Sequence, residues 1–313
     1  MPPSWRDRLM LGGLRAVPKP LAKHALFLLK SHPSLADDLG YHVRPIHYYE
    51  PLPDFRTITP DQIRRRRVSP AIEFALDVQQ QLARRLAASF GAELDTADLP
   101  GAFDFANGYF AGLDAAIYYA LIRDLRPARV MEIGSGLSTR IAARALARNR
   151  ADGHPGELIC IEPFPEPRLT TDMPQATLIE KRVEDLPLDL FDQLHAGDIL
   201  FIDSSHAVKF GGDVCREFLE ILPRLKPGVW VHVHDVFFPQ DYPARWLIDQ
   251  RQAFTEQYLL EAFLAFNRLF EVRLCLHWLW NDYHHVLCDR WPGAVITGSE
   301  HHPPASFWMA RVG

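Results

Sequence analysis

The chain has 313 residues, 48% of them hydrophobic and 23% charged, with a formal net charge of −5. That balance gives room for one large globular domain or two modest ones and excludes a strongly basic nucleic-acid-binding surface. Cys160, Cys215, Cys275 and Cys288 are widely spaced and form no C-x-x-C pair, so neither a zinc site nor a disulfide framework is expected, and they read as free thiols of a reducing cytoplasm.

Residues 1–105 read as a mainly helical N-terminal extension, a substrate lid or dimerisation region. Leu9–Leu14 is too short to span a membrane, Leu21–Leu29 is interrupted by Lys23 and His24, and no signal-peptide pattern is recognised. Arg6, Arg8, Arg15, Lys19, Lys23 and Lys30 make Trp5–Lys30 a basic amphipathic helix. It is expected to dock on its own domain, the alternative being a peripheral membrane contact. His47–Phe55, rich in aromatics and proline, is expected to be an ordered packed loop. The run Arg64–Arg67 is expected to be a solvated helix face, because four consecutive residues point all round a helix. Ser69-Pro70 then opens a predicted helix over Ala71–Phe90 with its apolar residues at helical spacing. In Asn107–Ala120, Asp114 is the expected cap of a helix over Ala115–Arg123, and Asn107 and Tyr109 are candidates to line a ligand pocket.

The strongest stretch is R-V-M-E-I-G-S-G-L-S-T, Arg129–Thr139. Val130, Met131 and Ile133 make a buried parallel strand, Gly134 and Gly136 a turn, and a helix begins near Leu137. Strand, glycine turn and helix let a backbone approach a nucleotide-like ligand closely. The dinucleotide fingerprint would need a third glycine where this chain has Thr139. Glu132, just before the turn, suits a ligand with a cationic head better than a pyrophosphate. S-adenosylmethionine (SAM), with its ammonium and sulfonium, is such a ligand.

Further strands follow. Glu157–Pro163 ends in Glu162, a carboxylate able to accept from both hydroxyls of a ribose. A third strand is predicted near Ala176–Glu180. In the next loop Glu184 could meet an adenine amino group. Gly197–His206, G-D-I-L-F-I-D-S-S-H, carries Asp203 at its carboxyl end and His206 three residues on. After a predicted helix over Asp213–Leu225, Val229–Asp235 alternates valine with Trp230, His232 and His234 and ends in Asp235. If these two strands are neighbours, Asp203, His206, His234 and Asp235 meet at the sheet edge where ligands of open α/β sheets bind. A helix over Thr255–Phe266 and two closing strands, Phe270–Leu276 and His284–Cys288, are predicted next. The pairs His284/His285 and His301/His302 are read as non-ligands, and Ala294–Gly313 as a surface tail.

Met131–Thr139, Ile161-Glu162-Pro163, Asp198–His206 and Gly228–Asp235 together resemble class I SAM-dependent methyltransferases. The resemblance is strongest to a bacterial branch with F-I-D-S-S-H followed by a strand ending in H-D, related to metal-dependent sugar and macrolide O-methyltransferases. The resemblance implies an α/β, Rossmann-like, seven-stranded mostly parallel sheet with one reversed strand and helices on both faces, over residues 106–313. It implies that Glu132, Gly134 and Gly136, with Ser135 and Ser138 in the same turn, hold SAM. Glu162, Glu184 and Asn107 complete the cofactor site. His206 is the implied general base with Asp203 beside it, and Asp203 and Asp235 the implied metal carboxylates. His234 stands where the related sugar enzymes tend to carry a second carboxylate, which favours a softer ion over Mg²⁺. The acceptor would be a small molecule, with no nucleic acid, no membrane span and a homodimer as the expected assembly. Rival readings are a nicotinamide dehydrogenase, a metalloenzyme using His206, His234 and Asp235, and a non-catalytic SAM-binding protein.

Overall fold

The computed structural model describes residues 17–94, 103–166, 175–288 and 290–313. Leu9–Leu14 and the start of the basic helix lie outside the described residues. The chain divides into two compact units after Thr57.

The first unit holds α1, Lys19–Ser31, and α2, Pro33–Asp38. No residue of α1 is buried. Tyr48 and Tyr49 are almost fully exposed, while Glu50, Asp54 and Phe55 of the same loop are half-buried.

In the second unit α3, Pro60–Arg64, opens with a Thr59–Gln62 capping box. Only the first of the four arginines is helical. Arg66 pairs with Asp282 at 2.6 Å and Arg67 with Glu261 at 2.6 Å, so the run fans out into ion pairs. The next helix, α4, runs from Leu76 to Phe90 rather than from Ala71. Ala75 takes a left-handed φ of 45°, and Ile72 and Phe74 are drawn into the core, Phe74 against Phe238 and Trp278. Then follow α5 (Gly112–Leu125), β1 (Arg129–Ile133), α6 (Leu137–Ala151), β2 (Glu157–Ile161), β3 (Thr177–Ile179) and β4 (Ile199–Ile202). A helical stretch begins as α7, Asp213–Arg216, and continues to Arg224 through a widened turn at Glu217–Ile221. The unit closes with β5 (Trp230–Val233), α8 (Glu256–Leu264), β6 (Phe270–Cys275), α9 (Leu276–Asp282), α10 (His284–Cys288), α11 (Gly293–His301) and β7 (Phe307–Arg311).

The seven strands form one sheet in the order β3-β2-β1-β4-β5-β7-β6. All neighbours are parallel except those of β7, which runs against both β5 and β6. This is the expected mostly parallel sheet with one reversed strand. Two expectations near the end are overturned. His284–Cys288 is helical, and the antiparallel partner of β6 is instead Phe307–Arg311. The supposed surface tail is therefore α11 and a buried strand whose Phe307, Trp308, Met309 and Ala310 are all buried. Four apolar residues in a row mark a strand covered on both faces.

Both faces carry core. Val130, Ile199 and Phe201 pack under α5 and α6 on one side, and Met131, Ile133, Leu200, Ile202, Val231 and Val233 pack under Phe218, Ile221 and Leu260 on the other. Alternate residues along each strand thus face opposite apolar layers. Asp114 lies within the first turn of α5 and does not cap it. Its carboxylate accepts from the backbone N–H groups of Ala305 (3.0 Å) and Ser306 (2.8 Å) instead, tying α5 to the start of β7. Cys160 and Cys275 are buried, and Cys215 and Cys288 half-buried.

The carboxyl edge of the sheet is built by a ladder that continues one residue past the strands. Gly134 N–H donates to Ile161 O, Asp203 N–H to Ile133 O and His234 N–H to Ile202 O, at 3.0, 2.9 and 3.0 Å. Gly134 has φ +82°, and a Cβ there would sit 1.9 Å from the Asp203 carbonyl oxygen. Only glycine fits. Gly134→Ala is expected to lower unfolding stability by about 2–4 kcal/mol, read as a shifted urea midpoint at unchanged m-value.

Candidate active site

Two groups of side chains occupy this edge. The first surrounds the β1 turn. Glu132 is wholly buried. It accepts from Tyr118 Oη at 2.9 Å and from Thr139 Oγ1 at 2.5 Å. Thr139 Oγ1 in turn accepts from Gly136 N–H at 3.0 Å. The residue that breaks the dinucleotide fingerprint therefore bridges the turn to the buried acid beneath it. Burial pushes the Glu132 carboxyl up to about 7, against the pull of its two hydroxyl donors. Ser138 is buried beside it. A Cβ on Gly136 would meet nothing within 4 Å, so the turn opens onto free space, and the buried Ser135 hydroxyl has no hydrogen-bond partner. Glu162, half-buried at the end of β2, accepts from Ser135 N–H at 3.2 Å and Phe164 N–H at 2.8 Å. Glu184 is half-buried in the short helical turn Val183–Asp185.

Asn107 differs from its expected place. Its amide donates to the carbonyls of Asp104 and Phe110, and its oxygen accepts from the N–H groups of Tyr109 and Phe110. Both donors and both acceptor positions are spent inside its own loop, so the side chain braces that loop instead of lining a pocket.

The second group lies at the ends of β4 and β5, which pair with Ile202 opposite Val233. His206 Nε2 stands 3.3 Å from Asp203 Oδ1 and 3.4 Å from Asp235 Oδ2. Its Nδ1 lies 2.8 Å from Glu256 Oε2. His234 Nδ1 is 3.4 Å from Asp203 and 3.6 Å from Asp235, and its Nε2 faces Asp114 at 3.6 Å. Among the described residues, Asp203, His206 and Asp235 offer ligand atoms within 4.8 Å of one another. The four predicted residues thus meet as the neighbouring-strand argument required.

The sequence reading missed the outer layer. Glu256 heads α8, with Leu260 and Leu264 buried at i+4 and i+8. An acid at the head of a buried apolar stripe was the available signal. Asp114 was read as a cap, and nothing in its spacing pointed to His234.

The electrostatics follow from crowding. Burial alone would lift the Asp203 carboxyl, but His234 and His206 outweigh it and hold it well below the usual range. Burial alone would keep His206 neutral, but Asp203, Glu256 and Asp235 raise it well above an ordinary histidine. His234 is raised likewise, against burial, by Asp203, Asp235 and Asp114. His232, one step inside the sheet and bonded to Ser306 Oγ at 2.8 Å, is held well below the usual value by burial and by His234. His206 and Asp235 both take left-handed backbone, φ 56° and 58°, at a cost of roughly 1–3 kcal/mol each. The His206 carbonyl is clamped by the N–H groups of Thr255 (2.9 Å) and Glu256 (3.1 Å).

A cleft of about 370 Å³ opens beside His234 and Asp235, walled by Tyr109, Phe237, Trp246 and His302. His301 also lines it, so the pair read as non-ligands reaches this cleft.

Residues 131–236 match the family model described as a methyltransferase domain. An uncharacterized protein of Archaeoglobus fulgidus is 29% identical over 173 residues, covering 51% of this chain and 77% of that protein. Among solved structures, the O-methyltransferase TomG from Streptomyces achromogenes, in complex with SAM, is 17% identical, covering 74% of this chain and 90% of that one at a TM-score of 0.39. CalS11, a TDP-rhamnose 3′-O-methyltransferase, is 17% identical, covering 79% and 96% at a TM-score of 0.41.

Glu132 supplies a prediction independent of any ligand. Between its ordinary value of 4.5 and about 7 this acid is ionised in the unfolded chain and protonated in the fold. Stability therefore falls as pH rises through that window and stays lower above it, by about 3 kcal/mol in all. In Glu132→Gln this part of the pH dependence is expected to vanish, as measured by urea unfolding at pH 4.5, 6 and 8.

Proposed function

We propose that this chain, a class I SAM-dependent methyltransferase by the family its residues 131–236 match and by the order of its sheet, methylates a hydroxyl group of a small-molecule acceptor with His206 as general base. The observation that carries this reading is His206 Nε2 held between Asp203 and Asp235 at the same sheet edge as the glycine turn.

The donor side fits SAM. The open space at Gly136 lets a ligand rest on the backbone. Glu162 keeps unused lone pairs on both oxygens for ribose hydroxyls. Glu184 is assigned to the adenine end. Glu132 acts from beneath, through Thr139 and the turn. SAM bound there supplies an electrophilic methyl and leaves as the neutral thioether.

On the acceptor side an alcohol enters from the cleft past His234. Glu256 accepts a hydrogen bond from His206 Nδ1–H, which leaves the Nε2 lone pair facing the carboxylates and the incoming hydroxyl. As the oxygen attacks the methyl, His206 Nε2 takes its proton, and Asp203 and Asp235 stabilise the imidazolium that results. His206 must begin neutral, so its raised proton affinity has to be offset in the loaded enzyme.

We assign a divalent ion, if one is used, to Asp203 and Asp235 with His234 Nδ1, which lies 3.4 and 3.6 Å from them. Such an ion would supply positive charge to lower the acceptor hydroxyl's pKa. With an imidazole at 234, the set favours Mn²⁺, Co²⁺ or Zn²⁺ over Mg²⁺.

Two measurements test the reading. By calorimetry, SAM should bind the wild type, bind Glu162→Ala more weakly, and bind His206→Ala unchanged, while His206→Ala loses about 10²–10⁴ in turnover. SAM binding that ignores Glu162, or turnover that survives without His206, would refute the assignments. For the ion, competition titrations should rank Mn²⁺ above Mg²⁺ in the wild type, and His234→Glu should tighten Mg²⁺ by about tenfold; an unchanged ranking removes His234 from the ligand set.

A further inference from the structure

The N-terminal unit places much of its apolar surface outside. In α1, Leu21, Leu26 and Phe27 are 60%, 54% and 62% exposed, and no residue of the helix is buried. The helix is sorted by side. At 100° per residue, Leu21, Ala22, Ala25, Leu26, Leu28 and Leu29 share one half of its circumference. Lys19, Lys23 and Lys30, at i, i+4 and i+11, fall on a single line opposite Leu21 and Ala25. Phe27 falls on the opposite half, facing away from the centre of this apolar arc. The helix contains no acidic residue. The same unit also exposes Tyr41, Tyr48 and Tyr49, rings with an apolar body and a polar tip that sit well at a lipid–water boundary.

We propose that α1 is a membrane-surface helix, laying its leucine side into an anionic lipid surface with its lysine line at the headgroups. An apolar half bordered along one edge by a line of lysines, in a helix without an acidic residue, matches what such a surface offers, hydrocarbon below and negative charge at its level. A second copy of the chain is the rival occupant. A two-fold contact through this face would bring lysine lines together with no acid from either helix to meet them. No described helix is long and apolar enough to cross a membrane, so the association is peripheral. The proposal is independent of the methyl-transfer chemistry.

The test is sedimentation of the full chain with vesicles of phosphatidylcholine, alone and with one third phosphatidylserine. Binding is expected to the mixed vesicles and to weaken at high salt. The triple variant Lys19→Glu, Lys23→Glu, Lys30→Glu should lower the partition coefficient by at least about tenfold. Leu21→Asp with Leu28→Asp should abolish binding, while circular dichroism and melting temperature stay unchanged because neither side chain is buried. No binding by the wild type, or equal binding to both vesicle types, overturns the proposal. So does a concentration-dependent dimer, seen by light scattering without lipid, that the Leu21→Asp, Leu28→Asp variant loses.

Discussion

The site depends on one electrostatic constraint: two carboxylates, Asp203 and Asp235, end neighbouring parallel strands and reach the same imidazole. Like charges this close, out of water, cannot both be held without positive partners. The fold supplies two, His206 and His234, each with a nitrogen toward both carboxylates. Each imidazole is then backed on its far side by a further acid, Glu256 or Asp114. The alternation of acid and base explains why a cluster so rich in carboxylates folds at all. It also explains the left-handed backbone at His206 and Asp235: the geometry that interleaves the charges is not one the chain would choose, and surrounding hydrogen bonds hold it there.

The glycine turn and the carboxylates are parts of one rigid edge. Asp203 N–H bonds to the carbonyl of Ile133, the residue before Gly134, and the Asp203 carbonyl fills the space a side chain at 134 would need. A displacement of the turn therefore moves Asp203 with it. In the proposed transfer, which needs donor carbon, acceptor oxygen and base in line, such coupling would fix geometry through the backbone.

How much of this was legible in the sequence follows from the range of each interaction. β1, β2, β4 and β5 are parallel strands covered on both faces, so they read as short apolar runs, and the residue ending each run falls on the ligand edge. That is why Glu162, Asp203 and Asp235 could be placed before any coordinates. The number and mostly parallel sense of the strands were legible only through family resemblance, and their order was not. β7 was lost because Phe307–Arg311 follows a proline pair and a helix, and its role is set by partners far away in sequence. The order places it between β5 and β6, a long-range choice that local pattern does not record. Glu256 and Asp114 were missed for the same reason: each meets its histidine across the fold, from a helix that looked complete without it. Asn107 misled in the opposite sense. A polar residue beside glycines looked available for a ligand, whereas its loop uses all of its hydrogen-bonding capacity.

His234 ties these threads together. A carboxylate at this position would put a third acid between Asp203 and Asp114, leaving His206 as the lone buried cation among five acids. That arrangement suits a protein that always holds a divalent ion, since the ion supplies the missing charge. An imidazole relieves the repulsion by itself, protonated when the carboxylates are bare and neutral when something else neutralises them. The same exchange weakens the hold on a hard cation, because a neutral nitrogen replaces an anionic oxygen. On the proposed metal assignment, the residue that departs from the related pattern would trade affinity for Mg²⁺ against a site that stays folded without an ion, with the buried Asp114 3.6 Å behind it.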